Sequence, residues 1–343
     1  MGSGSFSPTD YGKGVKRLID TGKVFGRSAI ASVSGDYGNV AKILDPKEMK
    51  NGLRESCFLP GVDDVMPIIV SIDGTGSMQK IPLHIQKELP KLLETVVEEG
   101  LSDHPNLLFM CHDDETVVEN AAFQISQFEI EANKLVESLN ELIIPGQGGG
   151  NNSEAYHLAI YAAANHTRLE SYEKNGEKGF MFLIGDEEPY FGGLDTAKHG
   201  TSPELIKDVF GASVQSDVPM LESLKKVLQR FHFFVIRPGD TSHGKDKRIT
   251  RNWQELMKRA GGNPQNVLEV EQTDAIIPTM VMSIGLTKGM DADELVDVLN
   301  TKGASGVKVA AEATSSIVPV ATAKAVVGKA SATISTGGGK RQR

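Results

Sequence analysis

The chain of 343 residues carries 36 Lys and Arg against 45 Asp and Glu, a formal net charge of −9, which argues against a whole-protein electrostatic grip on nucleic acid. Hydrophobic residues at 39% and charged residues at 24% are ordinary for a globular chain with a sizeable core, and no apolar run reaches the roughly 20 residues of a membrane helix. Cys57 and Cys111 are too few for a disulfide framework or a zinc site, and the opening MGSGSFSPTD has no apolar stretch behind it, so no leader and a reducing, cytoplasmic setting are expected.

Three zones follow one another. Residues 1–60 form a mixed N-terminal extension with one expected helix over 11–24. Residues 61–290 alternate between strand-like and helix-like segments. Residues 65–73 (VMPIIVSID) read as a buried strand. Over 79–99, Ile81, Ile85, Leu89, Leu92 and Val96 recur at helical spacing, with a kink expected at Pro90. Strands are then expected at 107–111 and 123–128, helices at 130–143 and 154–164, and a strand at 179–185 (GFMFLIG). Helices at 203–210 and 220–230, a strand at 231–236, a helix at 252–260, a strand at 267–270 and a helix at 274–286 complete the pattern. Residues 291–343 are read as a low-complexity basic tail. Its Ala/Val/Thr/Ser/Gly-rich part, 301–343, holds seven basic residues and one acid and has no aromatic, so little core is expected there.

Continuous apolar strands alternating with helices predict an α/β fold: a doubly wound, mostly parallel sheet flanked by helices. In such sheets ligands lie beyond the carboxyl ends of the strands, at a switch in strand order. After the first strand comes Asp73-Gly74-Thr75-Gly76-Ser77-Met78, whose carboxylate and two hydroxyls alternate and can face one point. A Gly-rich loop, PGQGGGNNSE over 145–154, ends in amide and hydroxyl oxygens at Asn151, Asn152 and Ser153. Gly185-Asp186-Glu187-Glu188-Pro189 sets a second carboxylate at a strand end, and His112-Asp113-Asp114-Glu115 is acidic again. Hard oxygens with few cations among them describe a site for Mg2+ or Mn2+.

IVSIDGTGSM, GGGNNSEA and FLIGDEEP, in this order and spacing, resemble the metal-ion-dependent adhesion site of the von Willebrand factor A domain family. The resemblance covers about residues 61–290. It is nearest to the intracellular branch found with alpha-kinases and bacterial regulatory proteins, although no kinase domain is present. It implies a Rossmann-like fold in which Asp73, Thr75 and Ser77 are metal ligands and Asp186 is the distal carboxylate. The middle ligand, usually Thr after Gly-Gly, falls at Asn151 with Asn152 and Ser153 beside it. The function so implied is non-enzymatic: a divalent cation keeps an open position for an acidic residue of a partner protein. A subunit of a larger assembly, such as an AAA-type ATPase complex, is a second reading, and a metal-dependent hydrolase a third. Nothing supports phosphate binding by a Walker loop, and Gln79 breaks a Gly-x-Ser-x-Gly elbow around Ser77. The segment from Tyr190 to Val218 is long for a connection and reads equally as a binding loop or surface decoration.

Overall fold

The computed structural model describes residues 13, 14, 16, 17, 40–78, 80–113, 123–144, 154–189, 200–317 and 319. Residues 13, 14, 16 and 17 are helical, and the rest of the helix expected over 11–24 lies outside the described residues. In chain order the strands are β1 (Arg54–Ser56), β2 (Met66–Asp73), β3 (Pro105–His112), β4 (Phe123–Ile125), β5 (Thr167–Leu169), β6 (Gly179–Ile184), β7 (Gly200–Thr201), β8 (Val218–Pro219), β9 (Phe231–Pro238) and β10 (Val267–Val270). The helices are α1 (Lys80–Glu98), α2 (Ala132–Glu141), α3 (Tyr156–Asn165), α4 (Glu170–Asn175), α5 (Pro203–Phe210), α6 (Met220–Arg230), α7 (Lys247–Arg259), α8 (Ile276–Thr287), α9 (Ala292–Thr301) and α10 (Val307–Thr314). Among the described residues no helix is long and apolar enough to cross a membrane.

A six-stranded sheet in the order β10-β9-β6-β2-β3-β4 forms the centre. It is parallel except for β4, which runs antiparallel to β3 at the edge. Alternate side chains of each strand feed two separate cores, as a period of two requires. Ile68, Val70 and Ile72 of β2 join Leu107 and Phe109 of β3 and Phe180 and Phe182 of β6 on one face, covered by α1 and α8. Ile69, Leu108, Met110, Met181 and Leu183 point to the other face, covered by α3, α6 and α7. That two-sided burial explains why β2 and β3 are buried at every position. α1 runs unbroken through Pro90, and Ile81, Ile85, Leu89, Leu92 and Val96 all lie in the core.

Both flanks of the sheet domain are part of its packing. β1 pairs in parallel with β5, 113 residues further on, as Arg54↔Thr167 through Ser56↔Leu169. Buried Arg54 donates to the carbonyls of Ile43 (3.1 Å) and Ile125 (3.0 Å). Leu44 is buried, and its carbonyl accepts the Ile125 N–H on β4 at 2.9 Å. On the same strand the Gln124 amide clasps Ile143 like a short stretch of sheet, donating to its carbonyl at 2.7 Å and accepting its N–H at 2.9 Å.

The C-terminal region corrects the expectation of a tail starting at 291. α9 and α10 pack on α8, with Leu295, Leu299, Val307 and Ala310 in the main core. Aliphatic side chains at helical spacing supply enough apolar area there without an aromatic. Residues 318 and 320–343 lie outside the described residues. Cys111 is buried as expected, while Cys57 is half-buried.

Candidate metal centre

Parallel register brings the first and third expected segments together. Ile72 of β2 lies opposite Ile184 of β6, so Asp73 falls beside Gly185, with Asp186 one residue beyond. After Asp73 the chain turns through a short 3-10 helix, Gly76–Met78, before α1 begins. Asp73 Oδ1 accepts both the Thr75 N–H (2.9 Å) and the Thr75 hydroxyl (2.6 Å). Thr75 Oγ1 and Ser77 Oγ lie 3.4 Å apart, and the Ser77 hydroxyl donates to Asp186 Oδ1 at 2.9 Å. Asp73, Thr75, Ser77 and Asp186 thus form one continuous chain of oxygens between two adjacent strand ends. Asp73, Thr75 and Asp186 are buried, and Ser77 is half-buried. Asn151 and Asn152, with Ser153, lie outside the described residues, as do Asp114 and Glu115. The far end of the Gly-rich loop returns to this edge, where the Ala155 N–H donates to the Asp113 carbonyl at 3.3 Å.

Three residues that the sequence did not single out, Tyr156, His243 and Arg237, complete the centre. Tyr156, the first residue of α3, donates to Asp73 Oδ2 at 2.7 Å and accepts the Glu187 N–H at 3.2 Å. Its ring stands edge-on to Trp253, with centroids 5.4 Å apart. Gly185 makes room for it: a Cβ there would lie 2.3 Å from the Tyr156 hydroxyl oxygen. Gly185→Ala is therefore expected to push the phenol off Asp73 and to cost about 1–3 kcal/mol, read as a lower urea midpoint. An unchanged midpoint would show that the strand end tolerates a side chain.

Glu187 and His243 lie on the other side of Asp186. His243 Nδ1 contacts Glu187 Oε1, and the His243 N–H donates to Asp186 Oδ2 at 3.2 Å. One ligand atom from each of Asp186, Glu187 and His243 lies within 4.8 Å of the others, a cluster that could hold a metal ion. Glu188 is engaged elsewhere, with Arg248 and with Asn252 Nδ2 at 3.1 Å. Buried Arg237, at the end of β9, ties the region together. Its Nη2 donates to the carbonyls of Asp186 (3.1 Å) and His243 (2.9 Å), and its Nη1 to the Asp246 carbonyl (3.1 Å) and the Thr250 hydroxyl.

The electrostatics follow from burial. Loss of water pushes the Asp73 carboxyl up to about 7; the hydrogen bonds from Thr75 and Tyr156 oppose the rise, and the nearby Asp186 charge adds to it. Burial also raises Glu187, against the pull of His243. The buried imidazole of His112 is driven down to about 3 by burial, with a further push from His157, and is neutral at pH 7. A buried anionic centre holds its negative charge at a cost, and that cost falls when a cation enters.

No family model matches the chain. No curated protein matches it either. Among solved structures, the pilus adhesin SpaC from Lactobacillus rhamnosus GG, in its open conformation, is similar at 13% identity and a TM-score of 0.42, covering 68% of this chain and 31% of that chain. A second form of the same adhesin gives the same values. The chain thus spans less than a third of that adhesin, and so slight a likeness says nothing about ligand or partner.

Proposed function

We propose that the chain is a metal-dependent protein-binding module of the von Willebrand factor A type. The observation that supports this most is the hydrogen-bonded line of Asp73, Thr75, Ser77 and Asp186 at the carboxyl ends of β2 and β6, next to the point where strand order reverses. The donor set fits a hard divalent cation: it is all oxygen, it contains two carboxylates, and burial makes the bare Asp73 charge costly. Asp73, Thr75 and Ser77 would hold the ion, with Asp186 beside them and Asn151 or Asn152 as the middle ligand. Mg2+ or Mn2+ there would supply a position that favours one further anionic oxygen, such as an Asp or Glu side chain of a partner protein. Tyr156 holds Asp73 in place, and Arg237 holds the backbone of Asp186.

Thermal unfolding with added MgCl2 or MnCl2 tests the reading. A ligand that binds only the folded state stabilises it by about 2.7 kcal/mol at a hundredfold excess over Kd. The wild type is expected to melt higher with metal and Asp73→Ala to show no response. Equal responses in the two proteins, or none in either, would overturn the metal site. Partner capture that persists in EDTA would overturn the role of the metal in recognition.

A further inference from the structure

We infer that Asp186, Glu187 and His243 form a second cation site, next to the oxygen-only one and different in chemistry, suited to a borderline transition ion such as Zn2+ or Co2+. The inference shares Asp186 with the proposed function but does not depend on it, because its other two donors, Glu187 and His243, take no part in the Asp73–Thr75–Ser77–Asp186 line.

Three observations carry it. The first is convergence: two carboxylates and an imidazole nitrogen place one ligand atom each within 4.8 Å of one another. The second is an orphaned atom. The Glu187 side chain is only 4% exposed, and its Oε2 is buried with no hydrogen-bond partner. A buried carboxylate oxygen without a donor is rare enough to need a cause, and a cation is the simplest partner for it. The third is that the backbones of all three residues are fixed by other buried groups. Arg237 Nη2 bridges the carbonyls of Asp186 and His243. Trp253 Nε1 donates to the Glu187 carbonyl at 3.0 Å. Gly244, next to His243, lies so close to the end of β9 that a Cβ would sit 1.8 Å from the Pro238 oxygen. Rigid support around the ligands is what sets metal affinity in built sites.

The donor set decides the ion. Mg2+ prefers six oxygens and keeps its waters, whereas an imidazole nitrogen suits Zn2+ and its neighbours, which also accept carboxylate oxygens. Three protein donors leave a further position for water or an exogenous ligand. His243 is 42% exposed and gives the ion a route from solvent, while Glu187 closes the inner side. The two oxygens of Asp186 already serve different neighbours, Oδ1 the Ser77 hydroxyl and Oδ2 the His243 N–H. Asp186 therefore stands between the two sites.

The test uses the full chain in excess Mg2+, titrated with Co2+ and followed by visible d–d absorption, then competed with Zn2+. The wild type is expected to bind a single equivalent of Co2+ and to lose the signal to Zn2+. His243→Ala and Glu187→Gln are expected to weaken Co2+ binding at least about tenfold. Asp73→Ala is expected to keep the Co2+ signal, and His243→Ala to keep any response of the melting temperature to Mg2+. No absorption in the wild type, an unchanged affinity in His243→Ala, or loss of the signal in Asp73→Ala would overturn the second site. Because Asp73→Ala and His243→Ala report on different ions, failure of this site is distinguishable from failure of the proposed function.

Discussion

In metal-free protein, Asp73→Asn is expected to raise stability above neutral pH and to flatten its pH dependence between about 4 and 7. Burial holds the Asp73 carboxyl at about 7 in the folded state, whereas an unfolded Asp titrates near 3.9. Between those values the folded protein binds more protons than the unfolded chain. Stability is therefore fully present below about pH 4 and falls as pH rises through about 7. The loss is on the order of a few kcal/mol once Asp73 is fully ionised. Asn has the same shape. Its oxygen can accept the Thr75 donors, and its amide can donate to the Tyr156 hydroxyl. Urea titrations in EDTA from pH 4 to 8 would measure the difference. A variant as pH-dependent as the wild type, or less stable at pH 8, would show that Asp73 is not the group under strain. With Mg2+ present the order should reverse, since the ion favours the ionised carboxylate and expels the proton.

The larger loss is expected at Arg237. Its guanidinium is buried and donates to three backbone carbonyls and the Thr250 hydroxyl, and Glu269 Oε1 lies 3.6 Å from Nη1. Arg237→Ala leaves those carbonyls without their donor, while Glu269 keeps Lys247 Nζ 2.6 Å from its Oε2. Removing one member of such a network costs about 3–5 kcal/mol, somewhat less for the half-exposed Glu269 contact itself. Arg237→Lys is expected to recover little, because one ammonium cannot reproduce a planar fork that bridges Asp186 and His243 on one side and Asp246 on the other. Equilibrium urea unfolding of both variants checks this, and a Lys variant within about 0.5 kcal/mol of wild type would show that charge alone matters.

The central sheet was legible because its strands carry uninterrupted apolar runs, and α5, α6 and β10 fall where the spacing predicts them. The expected helix over 252–260 begins earlier, at Lys247, where the Asp246 side chain caps the Arg248 N–H. The helix over 154–164 starts at Tyr156 and that over 130–143 shrinks to Ala132–Glu141. The antiparallel direction of β4 had no signature in so short a segment. α9 was readable from Asp291, which caps the N–H groups of Asp293 and Glu294, and from Leu295 and Leu299 one turn apart. The absence of aromatics had argued against core there, but aliphatic side chains fill it. At the centre, Asp73, Thr75 and Ser77 were visible because local spacing alone gathers them. Asp186 joined them through a strand end. Tyr156, Arg237 and His243 carry no such local pattern; their roles depend on the pairing of β6 with β9 and on the exit of the Gly-rich loop.

The segment before β1 has a consequence for any shortened form of the protein. Leu44 occupies the Ile125 amide on the outermost strand, and the Gln124 clasp engages Ile143 beside it. Together they cap the open margin of the sheet. A chain beginning at residue 61 would keep the Gln124 clasp but lose Leu44, with the unpaired Ile125 N–H offered to any extended backbone. Two such molecules could pair margin to margin, so self-association after trimming would report a lost seal and not a native oligomer.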